Sequence, residues 1–415
     1  MSAKNYNPIF LSARPAMLFA PILLAALGLS NIAHASPNNG QSATALPDGK
    51  TLLLGGKDGA APTSQAKLLD PKTGKVQSLT EKMGYARAEH SATLLADGRV
   101  LILGGFGDGG GVVRSAEAYD SASPYFELLG ELRVFPRAGH TATVLTDGKV
   151  LIVGGVDHRL VFVDRAELWD PRTGQAVAVG QGISLERRGG TAQLRADGSV
   201  LYLGGQGSNG KLLTRALVYH PDTAQFEEIN AEEAPALPED RFTVTATLPP
   251  ANAVDVNNDV WLTLRFSHPA QMTTVNTDTI VLIGPVGIVA TRVIPAEGGL
   301  LAFASPNQPL LPGARYTLFV YNVTDEAGRK IEFQAFSFDT ASLGLGSTDP
   351  VTGGTDSTPG KKGNPGETTG NENPANALAD AEDDEVFTPD ASHRGGRWRT
   401  GKPLPDFVRA LLDND

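Results

Sequence analysis

Arg87, Arg137 and Arg187 lie 50 residues apart, and His90 and His140 follow the first two at an offset of three, where Gly190 follows the last. Guanidiniums repeated in this way could clamp a carboxylate or sulfate by paired hydrogen bonds, provided the fold gathers them round one mouth. Residues that recur with a period can equally be the ties that hold repeated elements together. Both readings stay open on the sequence. The carboxylates Glu117, Glu167, Asp70, Asp120 and Asp170 also recur, which favours structure, because a catalytic pair breaks symmetry. His90, His140, His158 and His220 show no short ligand spacing, so no metal site is assigned. The chain has no cysteine, which removes thiolate chemistry and cysteine-ligated metals. Neither a GxSxG nucleophile motif nor a phosphate loop is present, and the glycine run Gly105–Gly111 sits in a hairpin rather than between strand and helix. The sequence therefore names no catalytic residue and calls for no cofactor.

The elements that must position these residues come from a repeat. SATALPDGKTLLLGG from Ser42 recurs as SATLLADGRVLILGG from Ser91, TATVLTDGKVLIVGG from Thr141 and TAQLRADGSVLYLGG from Thr191, a spacing of 49 or 50 residues. Asp48-Gly49, Asp97-Gly98, Asp147-Gly148 and Asp197-Gly198 each separate two apolar runs, the signature of a two-residue type I′ hairpin. Gly55-Gly56, Gly104-Gly105, Gly154-Gly155 and Gly204-Gly205 close each second run, where strands crowd near a central axis. AEAYD or AELWD supplies a third strand, and a fourth follows the next turn. Four strands per period of about 50 make one blade of a β-propeller.

This alternation of DGxVLxxGG with an aromatic-Asp-Pro step resembles kelch repeats, also found in galactose-oxidase-type propellers. The resemblance implies an all-β kelch-type propeller over residues 36–235, with four legible blades where family members usually show five to seven. It does not imply an activity, because the fold hosts oxidases, lectin-like modules and interaction scaffolds. The oxidases of the family use a cysteine cross-linked to a tyrosine beside copper, and this chain has no cysteine. Equivalent positions in equivalent blades would place Arg87, Arg137 and Arg187, with His90 and His140, around one mouth of the propeller axis, where they are the candidate ligand-binding residues, although the first blade lacks the arginine. A sialidase Asp-box is absent.

From Arg241 the period stops. Seven short apolar or alternating runs follow, Thr243–Leu248, Trp261–Phe266, Thr279–Ile283, Val289–Ile294, Leu300–Ala304, Arg315–Val320 and Ile331–Phe338, separated by turn residues. Together with PGARYT at Pro312 they resemble a bacterial Ig-like β-sandwich, placed here at 241–340. Residues 341–395 are rich in Gly, Pro, Thr and Asn and then acidic, the composition of a disordered linker. Residues 396–415 regain apolar character, as in a module that continues, and the layout resembles the front of large bacterial surface proteins with YD-type (Rhs) repeats. At the other end, Lys4 and Arg14 precede the apolar run Ala16–Leu29 and the Ala33-His34-Ala35 pattern, an export signal over 1–35 cut after Ala35.

The formal charge of −11 comes without a basic cluster, so nucleic acid is not an expected partner. After signal cleavage no stretch is long enough to span a membrane. The expectation is an exported, periplasmic or surface protein that is not an enzyme and presents a propeller face to a protein or glycan. A lectin or carbohydrate-active enzyme working at the mouth, and an N-terminal fragment of a larger surface protein, are the alternatives.

Overall fold

The computed structural model describes residues 40–230 and 241–342; the export signal ending at Ala35 and, from residue 343, the linker and C-terminal segment lie outside the described residues. The described chain is all β: four four-stranded blades followed by an Ig-like sandwich. The first blade comprises β1 (Gln41–Ala45), β2 (Thr51–Gly55), β3 (Ala66–Leu69) and β4 (Val76–Ser78). The second holds β5 (Ser91–Leu94), β6 (Arg99–Leu103), β7 (Ser115–Asp120) and β8 (Tyr125–Glu131). The third holds β9 (Thr141–Val144), β10 (Val150–Val153), β11 (Ala166–Trp169) and β12 (Ala176–Val179), and the fourth β13 (Thr191–Leu194), β14 (Val200–Leu203), β15 (Arg215–His220) and β16 (Gln225–Asn230). Each blade is an antiparallel meander. The second strand of the middle blades is buried along its length, Val100 to Leu103 and Val150 to Val153, because blades pack on both its faces.

The Asp-Gly hairpins differ from the expected two-residue turn. The amide of Leu46 bonds the carbonyl of Lys50, and that of Gly49 bonds the carbonyl of Leu46, which leaves three residues in the loop. The same pair of bonds recurs from Leu95, Leu145 and Arg195. Only the glycine has positive φ, +82° at Gly49, while a type I′ turn would need it at the aspartate too. A type I turn with a glycine bulge fits instead, and the aspartate holds it by accepting from the amide two residues on, as in Lys50 N to Asp48 Oδ1 at 3.0 Å.

The sandwich pairs β17 (Val244–Leu248), β19 (Leu262–Phe266), β23 (Leu301–Pro306) and β22 (Thr291–Ala296) in one sheet. The second sheet runs β18 (Ala253–Val256), β25 (Gln334–Thr340), β24 (Arg315–Val320), β20 (Ile280–Gly284) and β21 (Gly287–Val289). Two strands escaped the sequence reading. β18 pairs in parallel with β25 through a bulge, so its side chains do not alternate, and β21 divides the run read as Val289–Ile294.

The sandwich does not stand apart from the blades. Leu46, Leu95, Ala96 and Leu145, at the roots of three Asp-Gly hairpins, share one core with Ile294, Ala296, Leu300, Leu301 and Phe303 of the sandwich, and Trp261 and Met272 pack against it. Burying each leucine is worth roughly 1.5–3 kcal/mol. Polar contacts extend the junction: Arg265 donates to the carbonyl of Ala196 and to Thr146 Oγ1, both at 2.9 Å, and the Arg172 guanidinium lies 4.1 Å from the centre of the Trp261 ring. The turn between β22 and β23 carries Glu297, partly buried, whose Oε1 accepts from the amide of Val144 at 2.6 Å. The hairpin end of the propeller is thus capped by the sandwich, and the opposite, Gly-Gly end carries the free loops.

Candidate binding site

The repeated arginines fold back under the loop face rather than around an open mouth. Arg87 is fully buried; it donates to the carbonyls of Gly104 and Ser115 at 3.1 Å each and to Glu117 Oε1 at 2.6 Å. Glu117 in turn accepts from the amides of Gly84 and Tyr85. In the third blade Arg137 repeats this with Gly154, Arg165 and Glu167, and Glu167 takes the amide of Phe135. Each arginine therefore ties the entry of its inner strand to the second and third strands of the same blade. Burial pulls the Arg137 guanidinium down to about 10, with Glu167 opposing the shift.

The fourth blade breaks the pattern. Arg187 keeps the bond to the equivalent carbonyl, Arg215 O at 3.2 Å, and lies against the Tyr202 ring, but Leu217 stands where the other blades place Glu117 and Glu167. Among the described residues no carboxylate forms an ion pair with Arg187, and the side chain is buried. Desolvation accordingly lowers its pKa.

His90 and His140 are also buried and join neighbouring blades. The Nε2 of His90 lies 2.8 Å from Ser42 Oγ of the first blade, and that of His140 lies 2.9 Å from Ser91 Oγ of the second. Burial pushes both imidazoles down to about 3, so they are neutral. Each ring lies close over the first glycine of the preceding blade's pair, Gly55 or Gly104. Where the fourth blade has Gly190, the hydroxyl of Tyr202 takes the corresponding position over Gly154. A tyrosine in place of the repeat's isoleucine thus fills the space of the missing histidine.

At the axis on the free face, backbone bonds step from blade to blade: Glu89 N to Gly40 O, Gly139 N to Glu89 O and Gly189 N to Gly139 O. Three of these four equivalent positions are glycine with positive φ, and the fourth is Glu89, held at φ +58°. Arg188, where the second and third blades carry Ala88 and Ala138, reaches over Gly139 to Glu89 Oε2, with Nε at 2.8 Å and Nη2 at 2.5 Å. A Cβ on Gly139 would come 2.5 Å from Arg188 Cγ, so the crossing needs that glycine. The guanidinium lies 5.2 Å from the centre of the Phe106 ring, and the pair is 30% and 26% exposed. Sequence reasoning passed over Glu89 and Arg188, although an acid in a column of glycines and a base in a column of alanines were visible in the aligned repeats. The loops at the same end expose Tyr85, Phe135, Leu160, Val161 and Leu212.

Comparison with known proteins agrees with this architecture. Residues 238–340 match the bacterial Ig-like domain family and residues 136–175 the kelch motif family. No curated protein matches the chain. Among solved structures, a fungal alcohol oxidase of the AA5 family in complex with copper aligns with 14% identity and a TM-score of 0.35, over 73% of this chain and 85% of its own. A likeness that loose carries no chemistry across. The residues here do not suit a copper-radical centre either: the chain has no cysteine, and among the described residues no three His, Asp or Glu side chains gather into a metal-binding group.

Proposed function

We propose that this protein is an exported binding or scaffold module, without catalysis of its own, whose Gly-Gly-end loop face docks a protein partner. The observation that carries this reading is the capped hairpin end: with Leu46, Leu95 and Leu145 buried against the sandwich, the opposite face is left to meet a partner. That face carries exposed apolar side chains, Leu160 at 61%, Val161 at 58% and Leu212 at 67%, on the loops between second and third strands, with Tyr85 and Phe135 on the adjoining loops. Apolar groups presented on loops over a rigid scaffold suit protein recognition. The recurring arginines, histidines and glutamates are engaged within and between blades, which supports a scaffold rather than a reaction centre. Export rests on the Ala33-His34-Ala35 signal pattern.

A photo-cross-linking residue placed at Leu160 or Val161 in the producing cells should give a discrete adduct with one partner, while the same residue at Val286 on the sandwich should not. Turnover of an alcohol or glycoside by the purified protein, abolished by one substitution on the loop face, would overturn the reading.

A further inference from the structure

We infer that Arg188, set against Glu89 at the axis of the free face, is an anion-binding site that takes the carboxylate of an acidic peptide segment on the partner. This rests on the loop-face reading above and names the chemistry of its centre. Three observations converge.

The first is broken symmetry. Arg87, Arg137 and Arg187 recur in three blades and Glu117 and Glu167 in two, whereas Glu89 and Arg188 occur once each, at positions that the other blades fill with glycine or, in the second and third blades, alanine. Glu89 is held at φ +58°, a conformation that glycine adopts freely and a glutamate does not.

The second is an open hydrogen-bonding edge. Arg188 spends Nε and one side of Nη2 on a single oxygen, Glu89 Oε2. Its outer edge, Nη1 with the remaining Nη2 hydrogen, has no partner among the described residues, and that edge matches a carboxylate bidentately. The Phe106 ring beneath and Gly139 at its stem hold the guanidinium in place before any ligand arrives.

The third is the sign of the local charge. In the second and third blades each buried arginine is neutralised by its own glutamate. In the fourth, Leu217 replaces that glutamate, so Arg187, next to Arg188 in the chain, forms no ion pair among the described residues and feels only the more distant Glu228 carboxylate. The fourth blade thus has one in-blade carboxylate fewer at this level than its two neighbours, which favours an anion there. Arg187 faces its own blade and contributes charge rather than a contact. The exposed apolar side chains of the same loop face, Tyr85, Phe135, Leu160 and Val161, favour a peptide over a uronic-acid glycan as the source of the carboxylate.

The test uses the full chain and an N-acetylated hexaglutamate peptide, followed by calorimetric titration at low salt, with hexalysine and hexagalacturonate as comparison probes. Wild type should bind hexaglutamate and not hexalysine. Arg188→Gln should weaken binding at least about tenfold, the loss expected for a charge-assisted hydrogen bond. Glu89→Gln, which removes the internal competitor, should leave binding equal or tighter. Leu217→Glu restores the in-blade carboxylate far from the ligand, so it should weaken binding through charge alone while leaving the mouth intact; it keeps the test valid if Arg188→Gln folds poorly. The inference is overturned by wild type that ignores hexaglutamate, by Arg188→Gln binding as wild type does, or by Glu89→Gln weakening binding as much as Arg188→Gln. Hexagalacturonate binding as tightly as the peptide would overturn the peptide assignment. If the Leu160 cross-link persists while these variants bind alike, the loop-face reading stands and only the acidic chemistry falls.

Discussion

At the scale of residues, the blades show how the same side chain can be indispensable in one repeat and dispensable in the next. Arg87 is buried with Glu117 as its counter-ion, so removing either leaves a desolvated charge. Arg87→Met should cost about 3–5 kcal/mol in urea unfolding, the usual penalty for breaking a buried pair. Arg187→Met leaves no carboxylate behind, because Leu217 occupies that place, and should change stability by less than about 1 kcal/mol, or raise it. Equal losses in the two variants would contradict the pairing described here. The interplay of Gly190 and Tyr202 follows the same logic. A histidine lost from the loop is answered by a tyrosine gained on the strand, and a sequence read one column at a time shows two unrelated exceptions.

At the scale of elements, the Asp-Gly hairpins and the β22–β23 turn form the joint between blades and sandwich, and the joint holds a titratable group. Glu297 is partly buried beside Val144 N, and desolvation raises its pKa to about 7. The folded state therefore favours the protonated carboxyl. Its contribution is full below the ordinary value of 4.5 and is lost as the pH climbs to about 7. His90 and His140 act in the opposite sense. Held down to about 3, they refuse protons that the unfolded chain accepts below 6.5, so stability falls as the pH drops beneath that value. At about 1.4 kcal/mol per pH unit for each group, the histidines dominate between pH 4.5 and 6.5 and Glu297 alone acts from there to 7. These three groups thus place the optimum near pH 6.5. Glu297→Gln keeps the acceptor and removes the titration, so its stability relative to wild type should rise by about 3 kcal/mol between pH 4.5 and 8 in denaturant unfolding. A gap that stays constant with pH would show that the Glu297 carboxyl is not desolvated.

At the scale of the whole molecule, the blades were legible because a 49- or 50-residue period leaves Asp-Gly and Gly-Gly pairs in fixed register, and most sandwich strands were legible as apolar runs between turn residues. The joint was not. Leu46, Leu95 and Leu145 read as the ends of blade strands, and Ile294, Leu300 and Leu301 as sandwich interior, because burial against another domain calls for the same residue types as burial within one. The arginines were legible as a recurrence, but whether a guanidinium meets solvent or a carboxylate depends on contacts 30 residues away, as between Arg87 and Glu117. Glu89 and Arg188 are 99 residues apart and meet only because Gly139 lets one chain cross another. The central feature of the molecule is the sandwich capping one end of the propeller, and scanning calorimetry of the full chain tests it most directly. A shared core predicts a single cooperative transition, lowered as a whole by Arg265→Ala combined with Trp261→Ala. Two separate transitions in the wild type, with the propeller's unmoved by those substitutions, would contradict it.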